Sequence, residues 1–335
     1  MVRVIVAGLG PIGFACARAV QADRSMQLVG LVDTDAAKVG LTLSELGGRR
    51  DAGSQGPRVT DQIAAAVAGG ADVAVLTTAS RFDDITPTLM EMLEQRLAVV
   101  SSCEQMLWPW YRHAALADDV NVAAERAGRA ILGTGVNPGF VMDTLAVVMS
   151  SVVGRVTQVR CVRRVDAALR RRPLQAKVGA TMTPEQFDQL AREGRIGHKG
   201  LAESIALLAA GLGRQVEPES VIETLEPHLA QEPVQSSLGL IEPGSVAGIH
   251  NVGRWQGANL KIELDLTMAV GLEDPKDVVE LDGPVQLSMS IAGSVPGDSA
   301  TVAVLVNHIH AVHEARPGLR TTLDMPPVGC RGRDG

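Results

Sequence analysis

The chain has 335 residues, 46% of them hydrophobic but only 2% aromatic, and a formal net charge of −7. That length exceeds one ordinary core and suits two domains. The shortage of aromatic rings excludes a base-stacking platform, and an acidic balance with no domain-sized basic face excludes nucleic acid as a partner. Cys16, Cys103, Cys161 and Cys330 show no paired spacing, which excludes a zinc knuckle or a disulfide framework. No apolar run is long enough to span a membrane, and the first strand begins without a signal peptide, so a reducing cytoplasm is the expected location.

The apolar run Val2 to Val6 reads as a strand and runs into Gly8-Leu9-Gly10-Pro11-Ile12-Gly13, from which a helix opens over Ile12 to Val20. A second apolar run, Leu28 to Val32, ends in Asp33. Strand, glycine turn, helix, strand and acid make a dinucleotide-binding unit. Gly8 permits the tight turn, Gly10 lets the backbone approach a pyrophosphate, and Gly13 allows close helix–strand packing. The helix that opens at Pro11 and Ile12 offers the unpaired N–H groups of its N-terminus, Pro11 itself having none, and a positive dipole end to phosphates. Asp33 can accept from an adenine-ribose diol and repel a 2′-phosphate, and Thr34, not an arginine, follows it. NAD is therefore the preferred cofactor, with NADP possible.

A helix around Ala36 to Leu46 and a loop from Gly47 to Pro57 follow. Strands at Ala71 to Thr77, Leu97 to Ser101 and Ala130 to Leu132 alternate with helical patterns at Ile85–Gln95 and Ala114–Arg126. Such alternation predicts a parallel sheet with helices on both faces, and ligands then sit beyond the carboxyl ends of the strands. Thr77, Thr78 and Ser102 fall at such ends and join the cofactor-binding set. Glu104, at the end of another strand, falls near the expected nicotinamide, where a carboxylate can take a proton from an amine or an attacking water. Ser101-x-x-Glu104 also matches a helix capping box. Cys103 beside it is a pocket candidate.

After Gly135 the pattern changes. Asn137-Pro138-Gly139 is a turn whose asparagine either bonds the cofactor carboxamide or the substrate, or caps a helix that begins at Pro138. A helix over Phe140 to Val153 leads to a strand over Val156 to Val165, on which Arg160, Arg163, Arg164 and Asp166 are read as lining a wet face. Phe140 either walls the pocket or packs in a core, the core being the better reading. Arg170-Arg171-Arg172 reads as a solvated loop. Helices at Pro184–Glu193 and Leu201–Leu212 precede strands at Val221–Leu229, Val246–Trp255, Leu260–Met268 and Val285–Ile291. Leu260 to Leu266 alternates apolar and polar residues, so this sheet has one buried and one wet face. His198 and His250, each near a glycine, are candidates to orient a substrate. His308, His310 and His313 crowd the last helix, but only His310 and His313 share a face, and no metal site is expected.

These elements divide into a dinucleotide-binding α/β Rossmann domain with a parallel sheet over 1–135, completed by the C-terminal segment at about 299–335, whose helix runs over about Ser299 to Ala315. An α+β second domain over 136–298 has a mostly antiparallel sheet and serves substrate binding and dimerisation, because an exposed sheet needs a partner.

Leu97 to Trp110, with Cys103, Glu104 and Pro109-Trp110, resembles the catalytic strand and loop of the NAD(P)-dependent amine dehydrogenases typified by 2,4-diaminopentanoate dehydrogenase. Gly133 to Asp143, Met182 to Asp188 and Gly197 to Ser204 resemble the same group. The tail Asn307 to Pro327 resembles the wider dihydrodipicolinate-reductase-like superfamily. The resemblance implies reversible oxidative deamination of a small amine to a ketone or aldehyde plus ammonia, with Glu104 as the catalytic group. The chain departs from dihydrodipicolinate reductase itself: the stretch from Arg163 to Pro173 lacks that enzyme's paired-histidine, lysine and Ser-Gly-Thr donors. A diamino-acid substrate would need a carboxylate partner, for which Arg163, Arg164, Lys177 and Lys199 are candidates. The alternatives are an imine or carbonyl reductase that never uses ammonia, and a non-catalytic dinucleotide sensor.

Overall fold

In a computed structural model, residues 1–48, 56–168, 170 and 172–330 are described. Most of the loop expected from Gly47 to Pro57, and Arg171 of the basic run, lie outside them. In chain order the first part contains β1 (Val2–Ala7), α1 (Pro11–Ala22), β2 (Met26–Val32), α2 (Leu43–Leu46), β3 (Val59–Thr60), α3 (Ile63–Ala66) and β4 (Val73–Leu76). It continues with α4 (Phe82–Glu94), β5 (Ala98–Ser101), a 3-10 turn (Glu104–Leu107), α5 (Trp110–Ala127) and β6 (Ala130–Gly133).

The middle part contains α6 (Thr144–Ser150), β7 (Gln158–Asp166), α7 (Arg172–Lys177), α8 (Pro184–Arg192) and α9 (Leu201–Gly211). The strands β8 (Ile222–Leu229), β9 (Val234–Ser236), β10 (Gly239–Ile241), β11 (Val246–Gln256), β12 (Lys261–Ala269), β13 (Lys276–Asp282) and β14 (Leu287–Ala292) follow. The chain then returns through α10 (Gly297–Glu314) and β15 (Gly318–Arg320). Two units result: Met1–Gly139 with the segment from Pro296 onward, and Phe140–Val295.

The first unit is built on a seven-stranded parallel sheet in the order β15-β6-β5-β4-β1-β2-β3. Its strands are apolar on both sides because both faces are covered. Val2, Val4 and Val6 of β1, with Val73, Val75, Val100 and Leu132, pack against Ala17 and Val20 of α1 and Leu305 and Ile309 of α10. The alternate residues Ile5, Ala7, Ala74, Leu76, Val99 and Ile131 pack against Ile85, Leu89 and Met92 of α4 and Val120 of α5. The last helix, expected over about Ser299 to Ala315, spans Gly297–Glu314. Pro317 cannot occupy a helix interior, and after it Gly318–Arg320 pairs with β6 as the seventh strand.

Two helices are shorter than their sequence patterns. The stretch from Ala36 turns instead of coiling, with Gly40 at φ +87°, and α2 starts only at the reciprocal cap between Thr42 and Glu45. The helix expected from Phe140 begins at Thr144, because the Asp143 side chain accepts from the Thr144 amide and caps it there.

The second unit holds a six-stranded sheet, β14-β13-β7-β12-β11-β8, antiparallel throughout except for the β7–β12 pair. Helix α9 covers one face: Leu201 and Ile205 lie over Gly253 of β11, with Leu264 of β12 and Cys161 of β7 in the same cross-strand register. In β7, Val159, Cys161, Arg163 and Val165 are buried while their alternates are half-exposed. This corrects the reading of Arg163 as a wet-face residue; only Arg160, Arg164 and Asp166 are on the open side. Among the described residues no helix is long and apolar enough to cross a membrane.

Candidate active site

All of the parallel strands point their carboxyl ends at one edge of the first sheet, and the chain order reverses between β1 and β4. On that edge β1 delivers Gly8 to Gly13, β2 delivers Asp33 and Thr34, and β4 delivers Thr77 and Thr78. β5 delivers Ser102, Cys103 and Glu104, and β6 leads to Asn137. The edge therefore has an acid-bearing end over β2 and a Glu104-bearing end over β5 and β6, with the glycine turn at the crossover.

The turn is locked from below. Gly8 sits at φ +87°, donates to Val32 O at 2.9 Å and accepts from the Thr77 hydroxyl at 2.7 Å. A Cβ on Gly13 would lie 1.8 Å from Gly8 O and 2.5 Å from Thr77 Oγ1. Thr77, expected to touch the cofactor, thus holds the turn through its hydroxyl, and Thr78 is the exposed neighbour. A Cβ on Gly10 would meet nothing within 4 Å. Gly10 is the N-cap of α1, and Pro11 at the first helical position leaves the Ile12 and Gly13 amides without partners inside the helix. Open space over a backbone rich in N–H groups at a helix start suits a diphosphate.

Asp33 lies beside this turn. Its Oδ2 accepts from the Leu9 amide at 2.7 Å and from Lys38 Nζ at 2.9 Å, and its Oδ1 accepts from the Asp35 amide at 2.9 Å. Partial burial works to raise its pKa, but the Lys38, Asp35 and Leu9 hydrogen bonds outweigh it and hold the carboxyl below its ordinary value. Lys38 was not singled out from the sequence. Its signal is a cation five residues beyond the acid, in the same loop.

At the other end Glu104 begins the 3-10 turn. The capping-box alternative is not realised: the Ser101 hydroxyl accepts from the Cys103 amide at 3.2 Å, and no side chain caps the turn. Gln105 has a structural task, since its Oε1 accepts from the Phe82 amide at the start of α4. Cys103 is buried against the core below, while Ser102 and Glu104 are half-buried. Asn137 does not start a helix. The Asn137–Pro138 bond is cis, a turn follows, and the next helix takes Asp143 as its cap.

The second unit sorts the remaining candidates. Phe140 is 39% exposed and is not a core residue. The two histidines are not brought together. His250, with Thr267 and Arg164 beside it in register, occupies the open sheet face and bonds Asp265 at 2.9 Å. His198 lies between α8 and α9; burial, then the charges of Lys177 and Arg163, push its pKa down to about 3. Arg163 itself points to the helix-covered side. Two of the segments expected to matter meet directly: the Ser204 hydroxyl donates to Asp143 Oδ2 at 2.7 Å. Of the four possible carboxylate partners, Arg163 is bound to Asp277, Arg164 donates to Glu273 O and Lys199 to Gly194 O. Among the described residues no group of three His, Cys, Asp or Glu is placed to hold a metal ion.

Comparison with known proteins places this geometry. Residues 140–332 match the family model of the 2,4-diaminopentanoate dehydrogenase C-terminal domain. The chain is 29% identical to the 2,4-diaminopentanoate dehydrogenase of Acetoanaerobium sticklandii, over 97% of this chain and 93% of that protein. It is 25% identical to an amine dehydrogenase of Streptomyces virginiae, over 100% and 99% of the two chains. The fold is similar to that of an amine dehydrogenase from Mycobacterium smegmatis, with a TM-score of 0.86 at 24% identity, covering 98% and 97% of the chains. The matched segment takes in the whole second unit and the returning α10 and β15, and the chain belongs to the 2,4-diaminopentanoate dehydrogenase family.

Proposed function

We propose that the chain is an NAD(P)-dependent amine dehydrogenase that converts a small primary amine and water to a ketone or aldehyde plus ammonia, and runs in reverse as a reductive amination. The observation that carries this reading is one sheet edge that presents the open Gly10 turn and Asp33 at one end and Glu104 at the other. The family supplies the class of substrate, and the relatives named for amine and diaminopentanoate oxidation support it.

A nicotinamide dinucleotide fits the residues present. The Ile12 and Gly13 amides hold the diphosphate over Gly10, Asp33 accepts from the adenine ribose, and Thr78, Ser102 and Asn137 border the other half. Asp33 inclines the site to NAD, with NADP admitted. The bound nicotinamide supplies one thing, acceptance of a hydride from the carbon that bears nitrogen. Glu104 does the proton work. Its carboxylate takes a proton from the substrate ammonium and so frees the lone pair that drives hydride loss. It sheds that proton to solvent, takes one from the water that adds to the iminium carbon and gives it to nitrogen, and then takes the hydroxyl proton as the C–N bond breaks and ammonia leaves. A negative charge held at this point also favours the cationic iminium. His198, neutral at working pH, is a substrate-orienting candidate in the second unit.

The open face of the second sheet supports a homodimer. It holds a groove of about 760 Å³ in which Arg160 reaches Glu263 and Glu280 while Arg164 and Lys276 stand nearby, a mixed-sign surface that can meet its own copy. The buried thiols Cys16, Cys103 and Cys161, none in a disulfide, suit a reducing cytoplasm.

The test is NADH oxidation with a panel of small ketones and aldehydes, with and without high ammonium at alkaline pH. Ammonium-dependent oxidation is expected. Oxidation that ignores ammonium would make the protein a carbonyl reductase, and cofactor binding without any turnover, in deamination of diamino acids as well, would make it a sensor.

A further inference from the structure

The Asp33 carboxylate is more heavily engaged than a simple ribose acceptor. An ionised carboxylate offers about four acceptor positions, and the bonds from Leu9, Lys38 and Asp35 occupy three of them. The two hydroxyls of a ribose diol need two positions, so one partner must leave. Leu9 and Asp35 donate through backbone amides fixed by the glycine turn and by the exit of β2. Lys38 donates through a flexible four-carbon stem, its side chain is 27% exposed, and it has a second carboxylate, Asp35, 3.6 Å away. Lys38 is the partner that can move.

We propose that Lys38 determines cofactor specificity at the adenosine end: it yields its place on Asp33 to the ribose diol, and when that ribose carries a 2′-phosphate it binds the phosphate. This rests on the dinucleotide reading above and deepens it. Asp33 and Asp35 bring two negative charges to this loop and Lys38 one positive charge. Without Lys38, a 2′-phosphate carrying roughly two negative charges would face both carboxylates with no counter-charge from the loop. With Lys38, it gains a mobile ammonium, which serves as a point-charge phosphate ligand. Thr34, next to Asp33, is exposed and brings no charge. A 2′-hydroxyl needs none of this. Asp33 thus sets the preference for NAD, and Lys38 sets the tolerance of NADP.

The test is titration calorimetry on the whole protein with ADP-ribose and its 2′-phosphate, which probe the adenosine end without turnover. Lys38→Met is expected to weaken the 2′-phosphorylated probe about tenfold or more while ADP-ribose changes by less than about threefold. Asp35→Asn, which keeps an oxygen for the Ala37 amide bonded at 3.0 Å, should shift the ratio the other way, toward the phosphorylated probe. Lys38→Gln repeats the first comparison should the methionine variant melt early. An unchanged ratio of the two affinities in the Lys38 variants overturns the proposal. A wild-type protein that binds neither probe overturns the dinucleotide reading beneath it.

Discussion

Arg163 Nη1 lies 2.7 Å from Asp277 Oδ1, with only 2% and 3% of the two side chains exposed, on the helix-covered face of the second sheet. The pair ties β7 to β13. Arg163 also donates to Val295 O at 2.8 Å, and Asp277 accepts from the Ser294 hydroxyl and the Val295 amide. The segment that leaves the second unit is therefore held by one buried ion pair. Removing either partner strands the other charge, so Arg163→Met or Asp277→Leu should cost about 3–5 kcal/mol. The double variant Arg163→Met/Asp277→Leu should recover much of that loss, as read by chemical denaturation. Additive losses would show that the two side chains act separately.

Replacing Glu104 by glutamine removes the proton acceptor and keeps the shape. Turnover should fall about 10²–10⁴-fold, with dinucleotide affinity by fluorescence titration unchanged. The Ser101–Glu104 cap is not formed, so the fall in turnover cannot come from losing it. A large drop in melting temperature would return Glu104 to a structural role.

The glycines of the turn should separate by function. Gly13→Ala places a methyl against Gly8 O and Thr77 and should destabilise the fold. Gly10→Ala points into open space, so its stability should stay within about 0.5 kcal/mol of the parent, while dinucleotide binding weakens because the methyl stands where the diphosphate approaches. Equal binding by Gly10→Ala would remove the diphosphate from that position.

His198 gives the acid limb of stability a definite sign. Its pKa is about 3 in the folded protein, against 6.5 for the free side chain. Between those values the unfolded chain binds a proton that the folded chain refuses. Its contribution is complete above pH 6.5 and is lost as pH falls toward 3, by about 1.4 kcal/mol per pH unit at most. His198→Gln should flatten the fall in stability between pH 6 and pH 4; an unchanged slope would mean that His198 protonates in the fold.

The residues legible in the sequence are those whose signal is local. Gly8, Gly10, Gly13 and Asp33 are read within one strand–turn–helix–strand unit because each answers a short-range steric or hydrogen-bonding need. Arg163 was misread because residue type was taken as a guide to face, whereas strand alternation puts it inside with Cys161, and its partner Asp277 lies over a hundred residues away. Thr77 shows a subtler limit: a polar residue at a strand end looks the same in sequence whether or not its hydroxyl is spent on a turn, and here it donates to Gly8 O. Lys38 was missed because its importance comes from a side chain folding back on Asp33. The three-residue β15 is too short for any periodicity, and only β6 beside it makes it a strand.

That last strand has a consequence for how the chain is made. The first sheet and its α10 cover draw on both ends of the polypeptide, so the early strands emerge from the ribosome with the apolar side of Val4, Val75 and Leu132 still awaiting Leu305 and Ile309. The intervening unit is synthesised in full before that surface closes, and its strands have their own partners to find. Assembly order thus runs against synthesis order, and the nascent nucleotide-binding half is the segment that most needs shielding from other chains.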